Sequence, residues 1–148
     1  MELQIKNVSK VYPDGTVALT DVSLTIAPGL LGLLGPNGAG KSTLMHLIAT
    51  ITDPTTGTVR WNGTDVTEHP AAVREILGYL PQDFGVYPSL TAPEFLEYMA
   101  ALKGLPASAA RDRIDTLLTL VNLDDARDQP LGGYSGGMTQ RVGIAYAL

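Results

Sequence analysis

The sequence contains no cysteine, which excludes disulfides, thiolate metal sites and a cysteine nucleophile and is compatible with a reducing compartment. Histidine is nearly as scarce. His46 lies in a stretch with helical spacing and His69 beside Pro70, so both read as structural or solvent-facing residues and not as a metal pair. Ten basic residues stand against 15 acidic ones, and a net charge of -5 argues against a broad basic surface while leaving room for one phosphate site. No nucleic-acid partner is expected. The longest apolar runs, such as "GLLGLLG", fall far short of the roughly 20 residues that a membrane helix needs. The N-terminus "MELQIKNVSK" lacks the basic-then-apolar plan of a secretory signal, so membrane association is expected only through a partner.

What the sequence does have, in 148 residues of which 45% are apolar, is enough material for a folded core and an unusual concentration of glycine. Gly32, Gly35, Gly38 and Gly40 fall within nine positions and are followed at once by Lys41, Ser42 and Thr43. Glycine is costly in regular structure, so this cluster implies close approach to the backbone.

Residues 2 to 26 read as a hairpin, "LQIKNVSKVY" and "VALTDVSLTI", joined through the D-G turn of "PDGT". "LLGLL" then predicts a strand covered on both faces, and "KSTLMHLIAT" a helix. "GTVRWNGTDV", residues 57 to 66, repeats the hairpin idiom with an N-G turn, and "EILGYLPQ" is a further strand candidate ending at Pro81 and Gln82. Beyond it the chain turns helical. Thr91 and Glu94 fit a capping box ahead of an apolar face of Phe95, Met99 and Leu102, closed by Gly104 and Pro106. Ile114, Leu117, Leu118 and Val121 form the buried stripe of the next helix, and "YSGGMTQRVGIAYAL" reads as a loop opening a last one.

The stretch "GPNGAGKST", comprising Gly35, Pro36, Asn37, Gly38, Ala39, Gly40, Lys41, Ser42 and Thr43, matches G-x-x-x-x-G-K-[ST] between a predicted strand and a predicted helix. With side chains pared away, successive N–H groups can turn inward to phosphate oxygens, and the helix that follows adds partial positive charge. Lys41 would bring a full charge to the β- and γ-phosphates, Ser42 would ligand Mg2+, and Thr43 would support the α-phosphate end.

Three further stretches, taken with this loop, resemble the ATP-binding subunit of ABC transporters across essentially the whole chain. "VSKVYPDGTVALTDVSLTI" looks like the family's opening hairpin, with Tyr12 where an aromatic stacks on adenine. "YLPQDFGVYPSLT" resembles the glutamine loop, placing Gln82 where family members sense Mg2+ and the attacking water. "YSGGMTQRVGIAYAL" resembles the signature sequence and its helix, with Ser135, Gly136 and Gly137 matching its core. Each stretch alone would also suit a turn or a strand end, but Ser135 follows Lys41 by 94 positions, within the family's range. Tyr134 and Met138 stand where leucine and glutamine are commonest, and Tyr146 replaces a usual arginine.

The resemblance implies an α/β fold: a P-loop NTPase core, an antiparallel β subdomain and an α-helical subdomain, lacking the C-terminal part of the core. It implies a partial ATP-binding domain over 1–148, with 1–87 as nucleotide-binding core and antiparallel subdomain and 88–148 as helical subdomain ending in the signature helix. The family's Asp-Glu strand and switch histidine have no counterpart after the signature helix. "LLTLVNLDD" is not that strand, because its apolar spacing is helical and it precedes the signature, so Asp124 and Asp125 read as a solvated helix end. This chain alone is therefore expected to bind ATP without turning it over, with Lys41 and Gln82 as its share of the catalytic residues and Ser42 and Gln82 at the metal. The implied partners are a transmembrane permease, more of the efflux type in the segment after Gln82, and a second ATP-binding subunit, identical or paralogous, arranged head to tail. Such a subunit sits on the cytoplasmic face of the cell membrane through its permease. A soluble ABC-type ATPase of ribosomes or DNA, and a binding module without turnover, are the rival readings.

Overall fold

Alternating apolar and polar residues produce the expected first hairpin in the computed structural model, which describes all 148 residues: β1 (Leu3–Val11) pairs antiparallel with β2 (Val17–Ile26). α1 (Lys41–Ile48) follows, then β3 (Thr56–Trp61) and the short β4 (Thr64–Asp65). The Asn62-Gly63 turn between them has positive φ at both residues, 48° and 85°, the backbone that a two-residue hairpin of matching twist demands. One antiparallel sheet results, in the order β2-β1-β3-β4. Leu3, Ile5 and Val8 of β1 are buried, with Ile5 paired to Val59 on one side and to Leu24 on the other. Leu44 and Leu47 of α1 complete this core. The helix is thereby held by its apolar side while its first turn stays near the surface.

Two expected strands are not formed. Residues 30–34 are irregular, and Leu30 and Leu34 are fully exposed. A strand buried on both faces requires ladder partners for its N–H and C=O groups, and the one sheet does not include this stretch. "EILGYLPQ" is likewise unpaired. Its start is taken by the turn that ends α2 (Pro70–Arg74), a short helix with Pro70 in its first turn that the sequence reading missed.

The chain forms two compact units, Met1–Leu77 and Gly78–Leu148. Residues 78–87 thus cluster with the helices, ahead of the change expected at 88, because Phe84 and Val86 pack against the helical core. The second unit holds α3 (Ala92–Leu102), α4 (Ala107–Leu120) and α5 (Gly136–Ala147). Ala92, Phe95 and Leu96 of α3 meet Ile114 and Leu118 of α4 and Val142 of α5 in one cluster. Leu102 lies to one side of that stripe and is exposed, unlike the expectation from spacing alone.

The capping box of α3 forms as predicted. The Thr91 main-chain N–H donates to the Glu94 carboxylate at 2.8 Å, and the Glu94 N–H donates to the Thr91 hydroxyl at 3.4 Å. The Thr91 donors hold the Glu94 carboxyl below its ordinary value. That contribution is in place above the ordinary carboxylate range and is lost as pH falls through the lowered value. Thr91→Ala is expected to cost about 0.5 to 2 kcal/mol, measured by denaturant unfolding near neutral pH. No measurable penalty would contradict the cap.

Candidate functional site

The loop before α1 is built by its backbone. Gly38 and Gly40 take φ of 83° and 82°, in the left-handed region that glycine enters without penalty. Gly40 has a second constraint, since a Cβ there would lie 2.5 Å from the Ala18 carbonyl oxygen and 2.7 Å from Leu19 Cδ2. The hairpin therefore comes directly against the start of α1, and only a bare backbone fits between them.

Gly40 caps the helix without any side-chain hydrogen bond, and the first helical bond runs from the Leu44 N–H to the Gly40 carbonyl. The amides of residues 41 to 43 thus stand at the mouth of the loop, where a helix N-terminus favours an anion. No acidic residue occupies this first turn. Lys41 folds back over the loop, its Nζ donating to the Gly35 and Pro36 carbonyls at 2.7 Å each. Those carbonyls hold the ammonium over the loop. Residues 35 to 39 and Ser42 are exposed, whereas Thr43 is buried. A phosphate chain fits this set of donors: glycine-lined amides, a lysine ammonium and an accessible hydroxyl beside it.

Tyr12 belongs to the same unit. It follows β1 at the hairpin turn, and its hydroxyl lies 3.2 Å from Thr43 Oγ1. Lys10 Nζ sits 5.4 Å from the centre of its ring and donates to the Asp53 carbonyl at 2.6 Å. The sequence gives no sign of this attachment between hairpin and loop.

The other candidate residues lie in the second unit. Gln82 is exposed and lines an open groove of about 550 Å³ together with Phe84, Tyr134, Gly136 and Gln140. The fold thereby brings the glutamine segment and the signature segment to one depression. Ser135 caps α5 by accepting from the Met138 N–H at 3.3 Å, and nothing would obstruct a Cβ at Gly136 or Gly137, so the approach to this helix end is open.

The departures from the commonest signature have a packing account. Tyr134 is half-buried, with its hydroxyl donating to the Ala126 carbonyl at 2.7 Å, and burial raises its phenol above the ordinary value. Met138 lies against the helical core. Tyr146 stacks on Phe84 at 5.7 Å between centroids, with Lys103 Nζ 4.6 Å from the centre of its ring. Asp124 and Asp125 are exposed after the end of α4, and Asp124 accepts from the Thr119 hydroxyl at 2.8 Å. His69 precedes α2 on the surface, and His46 lies within α1.

Comparison with known proteins identifies the family. The family model described as ABC transporter matches residues 19–148. The daunorubicin/doxorubicin resistance ATP-binding protein DrrA of Streptomyces peucetius is 41% identical over 147 residues, covering 99% of this chain and 44% of that protein. The methionine import ATP-binding protein MetN of Corynebacterium efficiens is 37% identical over 155 residues, covering 99% and 43%. The chain spans about half the length of the curated relatives it matches. Among solved structures, cbiO1 of Clostridium perfringens, part of the ABC transporter complex cbiONQ, matches with a TM-score of 0.85 at 28% identity, covering 99% of this chain and 60% of that one. A dimeric ATP-binding cassette in a post-hydrolysis state bound to ADP and Pi matches with a TM-score of 0.83 at 31% identity, covering 99% and 68%. From loop, signature segment and matching family alike, the chain belongs to the ABC transporter family and carries part of its ATP-binding domain.

Proposed function

We propose that this chain binds Mg–ATP through residues 35 to 43 and forms part of a subunit that drives a membrane permease, of the efflux type. The observation that carries the reading is the open glycine loop at the N-terminus of α1, with the Lys41 ammonium held on two loop carbonyls from which a triphosphate would draw it. The relatives by name include a drug-resistance protein and a methionine importer; the efflux reading rests on the helical segment after Gln82, which resembles that of subunits serving efflux-type permeases.

In this reading the amides of the loop and of the first turn of α1 hold phosphate oxygens, and Lys41 bridges toward the terminal phosphates. Ser42 would hold Mg2+ together with oxygens of the nucleotide itself, and Gln82 keeps the metal-sensing role that the family resemblance gives it. The metal, when bound, would neutralise phosphate charge. Tyr12 offers its ring to the purine. Ser135, Gly136 and Gly137 present an open helix end to the nucleotide of a second subunit, so that two subunits close head to tail over two ATP molecules. Hydrolysis in the whole subunit, resting on oriented phosphates and a positioned water, would then reopen the pair.

Titration of the chain with Mg–ATP, unaltered and as Lys41→Ala, tests the reading. Saturable binding that weakens in the variant supports it, and saturable binding indifferent to the substitution overturns it.

A further inference from the structure

Tyr12 has two parts that the structure treats separately. One face of its ring is covered by the Lys10 ammonium, which is itself anchored to the Asp53 carbonyl. Its hydroxyl instead reaches Thr43 Oγ1 at 3.2 Å, in the first turn of α1. Thr43 is 8% exposed, and the contact between the two hydroxyls is part-buried. A hydroxyl has one proton to give and lone pairs to receive. If Thr43 donates to Tyr12, it has no proton for a ligand. If Tyr12 donates to Thr43, the Thr43 proton is released to point elsewhere.

A phosphate oxygen only accepts, so it selects the second arrangement. Resting on the reading that residues 35 to 43 hold a triphosphate, we infer that the Tyr12 hydroxyl is a positioning group: it donates to Thr43 Oγ1 and so directs the Thr43 proton to a phosphate oxygen. The ring and the hydroxyl then serve different parts of the ligand. The hairpin is fit for this task because Gly40 lets the β2 backbone at Ala18 lie against the start of α1, fixing the hairpin against the helix that carries Thr43. The chain Tyr12 O–H to Thr43 O–H to phosphate needs no net proton transfer; each donor keeps its own proton.

The test uses the whole chain and two probes, Mg–ATP and Mg–tripolyphosphate, the second having no base to stack. Tyr12→Phe keeps the ring and removes the hydroxyl. It is expected to weaken both probes by a similar factor, about 3- to 10-fold, the worth of one hydrogen bond. Combining Tyr12→Phe with Thr43→Val should weaken binding no further than Thr43→Val alone, whereas Thr43→Ser, which keeps a hydroxyl, should restore the sensitivity to Tyr12→Phe. Indifference of both probes to Tyr12→Phe would show that only the ring matters, loss confined to ATP would place the effect of the hydroxyl at the base, and additive losses would show independent action; each of these results overturns the inference. So does failure of tripolyphosphate to bind where ATP binds. Indifference of both probes to Lys41→Ala would instead remove the underlying phosphate-site reading, a distinguishable failure.

Discussion

Lys41→Ala is expected to weaken Mg–ATP binding by about 10- to 100-fold, the range for losing hydrogen bonds from a charged donor, with little change in the unfolding midpoint. The two parts of that expectation have separate physical grounds. In the free chain the ammonium spends its donors on the Gly35 and Pro36 carbonyls of an exposed loop, where water can take its place. Removing it therefore costs the fold little. Against a triphosphate the same charge faces several anionic oxygens beside a helix N-terminus, and water replaces it poorly there. Binding by the unaltered chain should also fall as salt is raised, and the variant should show a shallower fall. Isothermal titration at two ionic strengths measures both quantities. A variant that binds as tightly as the parent chain, or one that loses its fold along with its binding, would contradict the account.

Much of this site is legible in the sequence because its determinants are local. A glycine run between an apolar stretch and a helical stretch specifies its own backbone, and the D-G and N-G turns specify their hairpins. The Thr91 and Glu94 pair announces the start of α3 for the same reason. Residues 30–34 show where that logic stops. Their composition is that of a doubly covered strand, but a strand exists only through neighbours that are remote in sequence, and the sheet of this structure has none beside them. α2 has no signature in the sequence because five residues are too few to show a helical period. The Tyr12 to Thr43 contact could not be read at all, since it depends on how the hairpin packs against α1. Gly40 reads as a phosphate-loop glycine, and the structure adds a packing demand from Ala18 and Leu19 that no motif states.

Phe95→Ala is expected to destabilise the helical unit by about 3 to 5 kcal/mol, the range for deleting a fully buried phenyl group. Phe95 is wholly buried in the cluster formed by α3, α4 and α5. Its ring meets Phe84 edge-on at 5.8 Å and lies 6.2 Å from Tyr87, so it supports the glutamine segment as well as the helices. The cavity left by alanine would remove both the transfer energy of the ring and its contacts, and a loss of this size is a large part of the roughly 5 to 15 kcal/mol that stabilises an ordinary domain. Phe95→Leu should cost clearly less, because most of the volume is kept. Leu102→Ala, on the same helix but exposed, should shift the midpoint by no more than about 0.5 kcal/mol. Denaturant unfolding followed by the far-ultraviolet helical signal gives all three values. If Phe95→Ala and Leu102→Ala prove equally mild, the groove that joins Gln82 to Gly136 is not held in place by this core, and the segment carrying Gln82 must be fixed by something other than Phe84 packing on Phe95.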